Sequence, residues 1–178
     1  MSLNPRKIVM VGPSGVGKTT TCKRLVSGHF ESQHVPTLGV SVHRLPERNV
    51  NIWDCGSGVY ETLGYGYLTD ASGVILVLDA TDKSTFDNLA QRLQSIANIC
   101  SPGTPIVVCV NKTDVRVTRY HQGLPQAKGE VDLLAAVSQV NKDSATIKVQ
   151  HPVYFCEMSA KSCIGIEMML TLLGVSMH

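Results

Sequence analysis

The run Gly12-Pro13-Ser14-Gly15-Val16-Gly17-Lys18-Thr19 constrains this chain more than any other feature. It fits the pattern G-x-x-x-x-G-K-T in full, and that pattern has a physical meaning only at the turn between a strand and a helix. The flanks meet the demand. Arg6 to Val11 is an apolar run closed by Gly12-Pro13, and Val16 to Ser27 carries a helical pattern that stops at Gly28. In such a turn the glycines let the backbone N–H groups from Ser14 through Gly17 face inward around phosphate oxygens, and the helix dipole adds partial positive charge. Lys18 neutralises the outer phosphates, the Thr19 hydroxyl ligates magnesium, and Thr20 follows in the same helical turn. The plain alternative is a glycine-rich turn that binds nothing, and the strand-to-helix context argues against it. A phosphate loop identifies a nucleotide but not its base, since P-loop kinases and ATPases share it.

The rest of the chain repeats the alternation. Val40 to Leu45 and Val50 to Trp53 flank the turn-like Pro46-Glu47-Arg48-Asn49, which predicts an antiparallel hairpin. Val74 to Asp79, Ile106 to Val110 and Val153 to Cys156 are short, nearly unbroken apolar runs, the pattern of strands covered on both faces. Helical segments are predicted at Ser84 to Ile99, Gly129 to Val140 and Ile164 to Leu173. Alternating strands and helices predict an α/β fold of three layers: a mostly parallel six-stranded sheet with one antiparallel edge strand, sandwiched by about five helices. With 178 residues, 43% of them hydrophobic, residues 1–178 are read as one domain. A chain of this size buries roughly two-thirds of its unfolded surface and needs no staple.

Charge and cysteine usage exclude several classes. The formal charge of +2 is spread along the chain, so no basic block favours nucleic acid, and no apolar stretch approaches the roughly 20 residues that span a bilayer. The six cysteines mostly sit in apolar runs, and nothing near Met1 has the pattern of a secretion signal, so reduced cytoplasmic thiols are expected. Cys163 lies far from His178, so the chain as given has no C-terminal prenylation box and no direct membrane anchor is expected.

The base is addressed at Asn111-Lys112-Thr113-Asp114, at the end of the Ile106 to Val110 run. Guanine presents N1–H and an exocyclic amine as adjacent donors, and the single carboxylate of Asp114 can accept both; adenine offers no such pair. Asn111 can bond the acceptor edge of the base and brace the phosphate loop, and the stem of Lys112 can lie across the ring. An ordinary polar turn would also read N-K-T-D. Its place at the C-terminal end of a strand, where open sheets bind ligands, favours base recognition. Ser159-Ala160-Lys161 follows the last predicted strand as a second, weaker element.

From the phosphate loop through Lys161 the chain resembles the Ras superfamily of small GTPases. The resemblance implies that GTP or GDP is bound with Mg2+, and that the Ala160 backbone N–H bonds the guanine oxygen. It puts Phe30 over the edge of the base, a position where a core side chain is the equal alternative. It also puts Pro36-Thr37-Leu38-Gly39 on the first switch, with Thr37 closing onto the metal and the terminal phosphate. His34 stands where many relatives carry tyrosine, and Asp54 is implied as a metal ligand through water. Relatives carry D-x-x-G-Q at the second switch, whereas this chain has Asp54-Cys55-Gly56-Ser57-Gly58. Aligned backward from Thr62-Leu63, Gly56 is the phosphate-sensing glycine and Ser57 takes the site of the water-orienting glutamine. Aligned without a gap, Ser57 is the sensor and Gly58 replaces the glutamine. Both readings remove the glutamine, so no residue is assigned a catalytic role and unaided hydrolysis is expected to be slow or absent.

Val-Gly-Pro at the phosphate loop, Pro-Thr-Leu-Gly-Val, Trp-Asp-Cys-Gly and Asp-Ala-Ser-Gly-Val together resemble the Rab-like branch that belongs to intraflagellar transport trains. That resemblance implies coiled-coil protein partners within such an assembly and a cytoplasmic, ciliary or flagellar location. It further implies a monomer outside its complex and no nucleic-acid partner. Thr37-Leu38-Gly39-Val40 is also similar to Ran, and Ser14-Gly15-Val16 to Rabs, so a cycling regulatory GTPase is the alternative. A P-loop kinase or ATPase is a third reading, opposed by N-K-T-D and S-A-K. The stretch from Val115 to Met158 is longer than in most Ras-like proteins. Its Val117 to Pro125 part reads as irregular, either functional or a tolerated surface insertion.

Overall fold

Apolar residues alternate along the first strand between two destinations, and that alternation builds the molecule. The computed structural model describes residues 4–32, 36–56, 64–125, 129–145, 147 and 150–175. Its strands are β1 (Arg6–Val11), β2 (Val40–Leu45), β3 (Val50–Cys55), β4 (Gly73–Asp79), β5 (Ile106–Asn111) and β6 (Val153–Glu157). Its α-helices are α1 (Lys18–Ser27), α2 (Leu89–Ile99), α3 (Thr113–His121), α4 (Leu133–Asp143) and α5 (Ile166–Leu172). The sheet order is β2-β3-β1-β4-β5-β6, with β2 antiparallel to β3 and every other pair parallel. This is the predicted α/β sandwich.

Val9 and Val11 of β1 pack on one face with Leu76, Leu89, Leu93 and Val140, against α2 and α4. Ile8 and Met10 point to the other, among Cys22, Ile75, Met169 and Leu170 of α1, β4 and α5. Because helices cover both faces, all seven residues of β4 and all six of β5 are buried. Each such large side chain contributes about 1.5–3 kcal/mol relative to exposure, so the sheet centre is the rigid base on which the loops stand. β6 departs from the expectation of burial on both faces, because it is an edge strand: Tyr154 is exposed and Phe155 only half-buried.

Several boundaries differ from the sequence reading, each for a local reason. The hairpin turn is a 3-10 turn, Pro46–Arg48, closed by Asn49 in the left-handed region (φ 50°). The helix predicted from Ser84 is two pieces. A 3-10 turn over Lys83–Phe86 is capped by Asp82, which accepts from the Ser84 N–H at 2.9 Å, and Asn88 (φ 57°) then turns the chain into α2. The helix predicted from Gly129 starts at Leu133, where Asp132 accepts from the Leu134 N–H at 2.9 Å, and runs on to Asp143. The last helix begins after Gly165, not at Ile164. Part of the stretch read as irregular is helical, since α3 runs to His121. Among the described residues no helix is long and apolar enough to cross a membrane.

Candidate functional site

The phosphate loop leaves β1 under pressure from two sides, and its glycines answer that pressure. Gly12 (φ 147°) sits so close to β4 that an added Cβ would lie 2.3 Å from the Val77 carbonyl oxygen. Gly17 (φ 97°) faces Asn111, whose Nδ2 would be 2.4 Å from a Cβ there. Gly17 is also the N-cap of α1 and offers no side-chain cap, so no side chain competes for the first N–H groups of the helix. Lys18, buried at 7% exposure, stretches back across the loop and donates to the carbonyls of Gly12 and Pro13, both at 2.8 Å. Burial pulls its pKa down, and the nearby Asp54 carboxylate opposes that shift. The loop thus presents an ammonium across its span at the N-terminus of α1, which suits a polyphosphate.

Beside it three hard oxygen groups converge. The Thr19 hydroxyl donates to Asp54 Oδ2 at 2.5 Å and lies 2.7 Å from the Thr37 hydroxyl, which is itself 3.5 Å from Asp54 Oδ2. Asp54 is fully buried. Two hydroxyls and a buried carboxylate, next to a phosphate cradle, are the donor set of a magnesium ion bound partly through phosphate and water. The residues fit the ion, which would supply charge neutralisation at the terminal phosphate. Thr37 reaches this point from the segment leading into β2, so the segment expected to be the first switch is held by a hydroxyl beside Thr19 and Asp54. Ser14, Gly15 and Gly56 complete the wall of this small space.

Where the base is expected lies a cavity of about 340 Å³, lined among others by Gly15, Thr20, Phe30, Asn111, Lys112, Asp114, Ala160 and Lys161. Phe30, 38% exposed, belongs to this wall and not to the core. The Asn111 side chain joins two loops: its Nδ2 donates to the Val16 carbonyl at 2.8 Å, and its Oδ1 accepts from the Ala160 N–H at 3.1 Å. Bracing the phosphate loop is the second of the two roles expected of Asn111. The Ala160 N–H, expected at the guanine oxygen, is directed to Asn111 in this structure. Asp114 is oriented by Ser159, whose hydroxyl donates to Oδ1 at 2.7 Å and accepts from the Ser162 N–H at 3.1 Å. One oxygen of Asp114 is thereby fixed, and the carboxylate is aimed as a unit.

Two contributors, Asp79 and Thr113, were missed in the sequence, and Lys112 has a partner that was not foreseen. The Lys112 ammonium pairs with Asp79 at 2.6 Å, and Lys112 itself is left-handed (φ 66°), which turns the chain from β5 into α3. The Thr113 hydroxyl donates to the Met158 carbonyl at 2.9 Å and so ties the two base-reading loops together. Asp79 closes the apolar β4 run, and a carboxylate at that strand end was the available signal.

At the expected second switch, Gly56 directly follows β3, and its N–H donates to the Gly39 carbonyl at 2.9 Å. A Cβ on Gly56 would lie 2.2 Å from the Thr37 carbonyl oxygen. Only glycine passes there. Ser57, Gly58, Thr62, Leu63 and His34 lie outside the described residues. A larger cavity of about 610 Å³, between Phe86 to Ala90 and Val131 to Gln139, holds none of the groups that read phosphate or base.

Comparison with known families agrees with this geometry. The model of the Ras family matches residues 7–177, which is nearly the whole chain and includes both the phosphate loop and the base-reading loops.

Proposed function

Since the chain belongs to the Ras family of small GTP-binding proteins, we propose that it is a GTP-dependent docking module with slow or absent unaided hydrolysis. The observation that carries the reading is the seat of Thr37 against Thr19 and Asp54. A switch held by one hydroxyl at the metal is ordered while triphosphate and metal supply its contacts and loosens when the terminal phosphate leaves. Between Asp54 and Leu68 the sequence contains no glutamine. Serine at that site is too short to hold water in line with the terminal phosphate, so the ordered state outlasts that of relatives.

Asp114, aimed by Ser159, reads guanine. Lys18 and the loop N–H groups hold the phosphates, and Phe30 walls the base. The assembly we assign to the module is an intraflagellar transport train with coiled-coil partners, on the strength of the collinear fragments around Gly12, Thr37, Asp54 and Ala71. Capture of such coiled-coil subunits by the GTP-loaded protein and not by the GDP-loaded one tests that assignment.

A second reading, a cycling Ran-like or Rab-like regulator of transport, is favoured by Leu38, which stands 95% exposed directly after Thr37. A large apolar side chain displayed on a nucleotide-sensitive segment suits a surface read by successive partners. One experiment separates the two: purify the protein, identify the nucleotide that accompanies it, and follow it for hours. Persistent GTP supports the docking module; full conversion to GDP without a partner overturns it.

A further inference from the structure

Behind the magnesium side of Asp54 lies a second group of donors, which shares that carboxylate and adds two side chains that nucleotide binding does not use. Cys22 of α1, His43 of β2 and Asp54 of β3 each offer a ligand atom, and these three atoms all lie within 4.8 Å of one another. Cys22 and Asp54 are fully buried and His43 is half-buried. Among the described residues, neither His43 Nε2 nor Asp54 Oδ1 has a hydrogen-bond partner, although both atoms are buried. The Cys22 thiol has only a weak contact, with Met10 Sδ at 3.7 Å. Two desolvated polar atoms without partners are costly, each about 1–3 kcal/mol, and both belong to side chains of this cluster, which has a sulfur as its third member.

We propose that Cys22, His43 and Asp54 form a zinc site, separate from the magnesium position and joining α1, β2 and β3. The donor chemistry selects the ion. Thiolate, imidazole and carboxylate together suit zinc, whereas magnesium takes oxygen ligands and does not use a thiol. Zinc bonds of about 2.0–2.3 Å put tetrahedral ligand atoms roughly 3.3–3.8 Å apart, so closing the site requires a contraction of about 1 Å. His43 is on the edge strand, which has a neighbour on one side only and can make that shift. On binding, the Cys22 proton leaves to solvent and the fourth position is open to water. The bound ion pins β2 at His43, four residues beyond Gly39 and so near the root of the first switch, and holds the carboxylate whose other role is toward Thr19 and Thr37. The inference does not rest on the nucleotide reading, because it is argued from the mutual distance and burial of the three side chains and not from any contact with phosphate.

The test uses the nucleotide-bound protein in excess magnesium, with Cys163→Ser removing the exposed thiol, and cobalt(II) as a spectroscopic stand-in for zinc. The expected result is one equivalent of bound metal with a thiolate-to-cobalt absorption that zinc displaces. Both the absorption and the stoichiometric zinc should be lost in Cys22→Ser and, independently, in His43→Gln, whose half-buried position tolerates the change. No thiolate absorption overturns the proposal and leaves a buried water as the bridge between His43 and Asp54. Absorption that survives either substitution also overturns it, by placing the metal elsewhere. Metal that had merely replaced magnesium beside Thr19 would show no thiolate band. Nucleotide retention, measured on the same samples, reports separately on the phosphate loop.

Discussion

Asn111 holds Val16 from 95 positions away: its side-chain amide donates to the Val16 carbonyl at 2.8 Å, and so ties the base-reading loop to the phosphate loop. Asn111→Ala removes this bond and the one from Ala160 and leaves a buried carbonyl and N–H unmatched, at about 1–3 kcal/mol each. Guanine-nucleotide affinity should fall by about 10-fold or more, with a faster off-rate for GDP and GTP alike. Stopped-flow release of a fluorescent nucleotide measures this. Release at the wild-type rate would mean that the two loops are positioned independently.

Lys18→Ala should abolish stable nucleotide binding, since the only ammonium crossing the loop is lost among the described residues around it. Thr19→Asn should shift the bound population toward GDP or the empty protein, because the metal side of the site loses its hydroxyl. Chromatography of the nucleotide extracted from each variant is the check. If either held GTP as the wild type does, the loop assignment would be wrong.

Asp114→Asn should relax base choice from guanine toward xanthine, because an amide offers a donor where the carboxylate accepted. Ser159→Ala leaves the carboxylate in place but removes its 2.7 Å partner, so it should weaken guanine binding without changing which base is preferred. Competition of GTP against XTP and ATP separates the two effects. An unchanged preference in Asp114→Asn would assign base reading to another residue.

Gly12→Ala places a Cβ 2.3 Å from the Val77 carbonyl at φ 147°, a backbone contact that no rotamer relieves. The expected loss is about 3 kcal/mol of stability together with nucleotide binding. Gly15→Ala meets no atom within 4 Å, although its φ of 75° still strains a side chain, so it should cost about 1–2 kcal/mol. Thermal unfolding of the two variants side by side tests that order.

Five of the six cysteines are buried and only Cys163 is exposed. Burial pushes the thiols of Cys55 and Cys100 up to about 11, so both stay protonated and unreactive near neutral pH. A maleimide reagent at pH 7 should add once, at Cys163, as read by peptide mass spectrometry, with the others reacting only on unfolding.

What could be read in advance was whatever the sequence states locally. The unbroken runs Val74 to Asp79 and Ile106 to Val110 announce buried strands because the helices above and below leave no face for polar residues. Helix α3 was not legible: among its residues only Thr113 is buried, and Val115, Val117 and Tyr120 are exposed, so no apolar stripe marks it. The break between Phe86 and Leu89 was hidden for another reason, since Asn88 adopts a left-handed conformation that the surrounding pattern does not require. The phosphate and base motifs were readable because each packs its chemistry into a few consecutive residues. The grouping of Cys22, His43 and Asp54 was not, since one helix and two strands contribute a residue each and only the register of Ser41 with Asp54 brings β2 alongside.

The bond from Gly56 to Gly39 extends the β2–β3 ladder by one rung past Val40 and Cys55, so the two segments proposed to sense the nucleotide are the two rails at that end. Thr37 lies two residues beyond that rung. Release of its hydroxyl from Thr19 and Asp54 removes the end stop of the ladder, and the expected outcome is opening from Gly39 inward. Exchange of the Gly56 amide with solvent deuterium then serves as a gauge, slow with the triphosphate and fast without it. The protein would record the state of its nucleotide as a length, counted in paired residues along a single edge of its sheet.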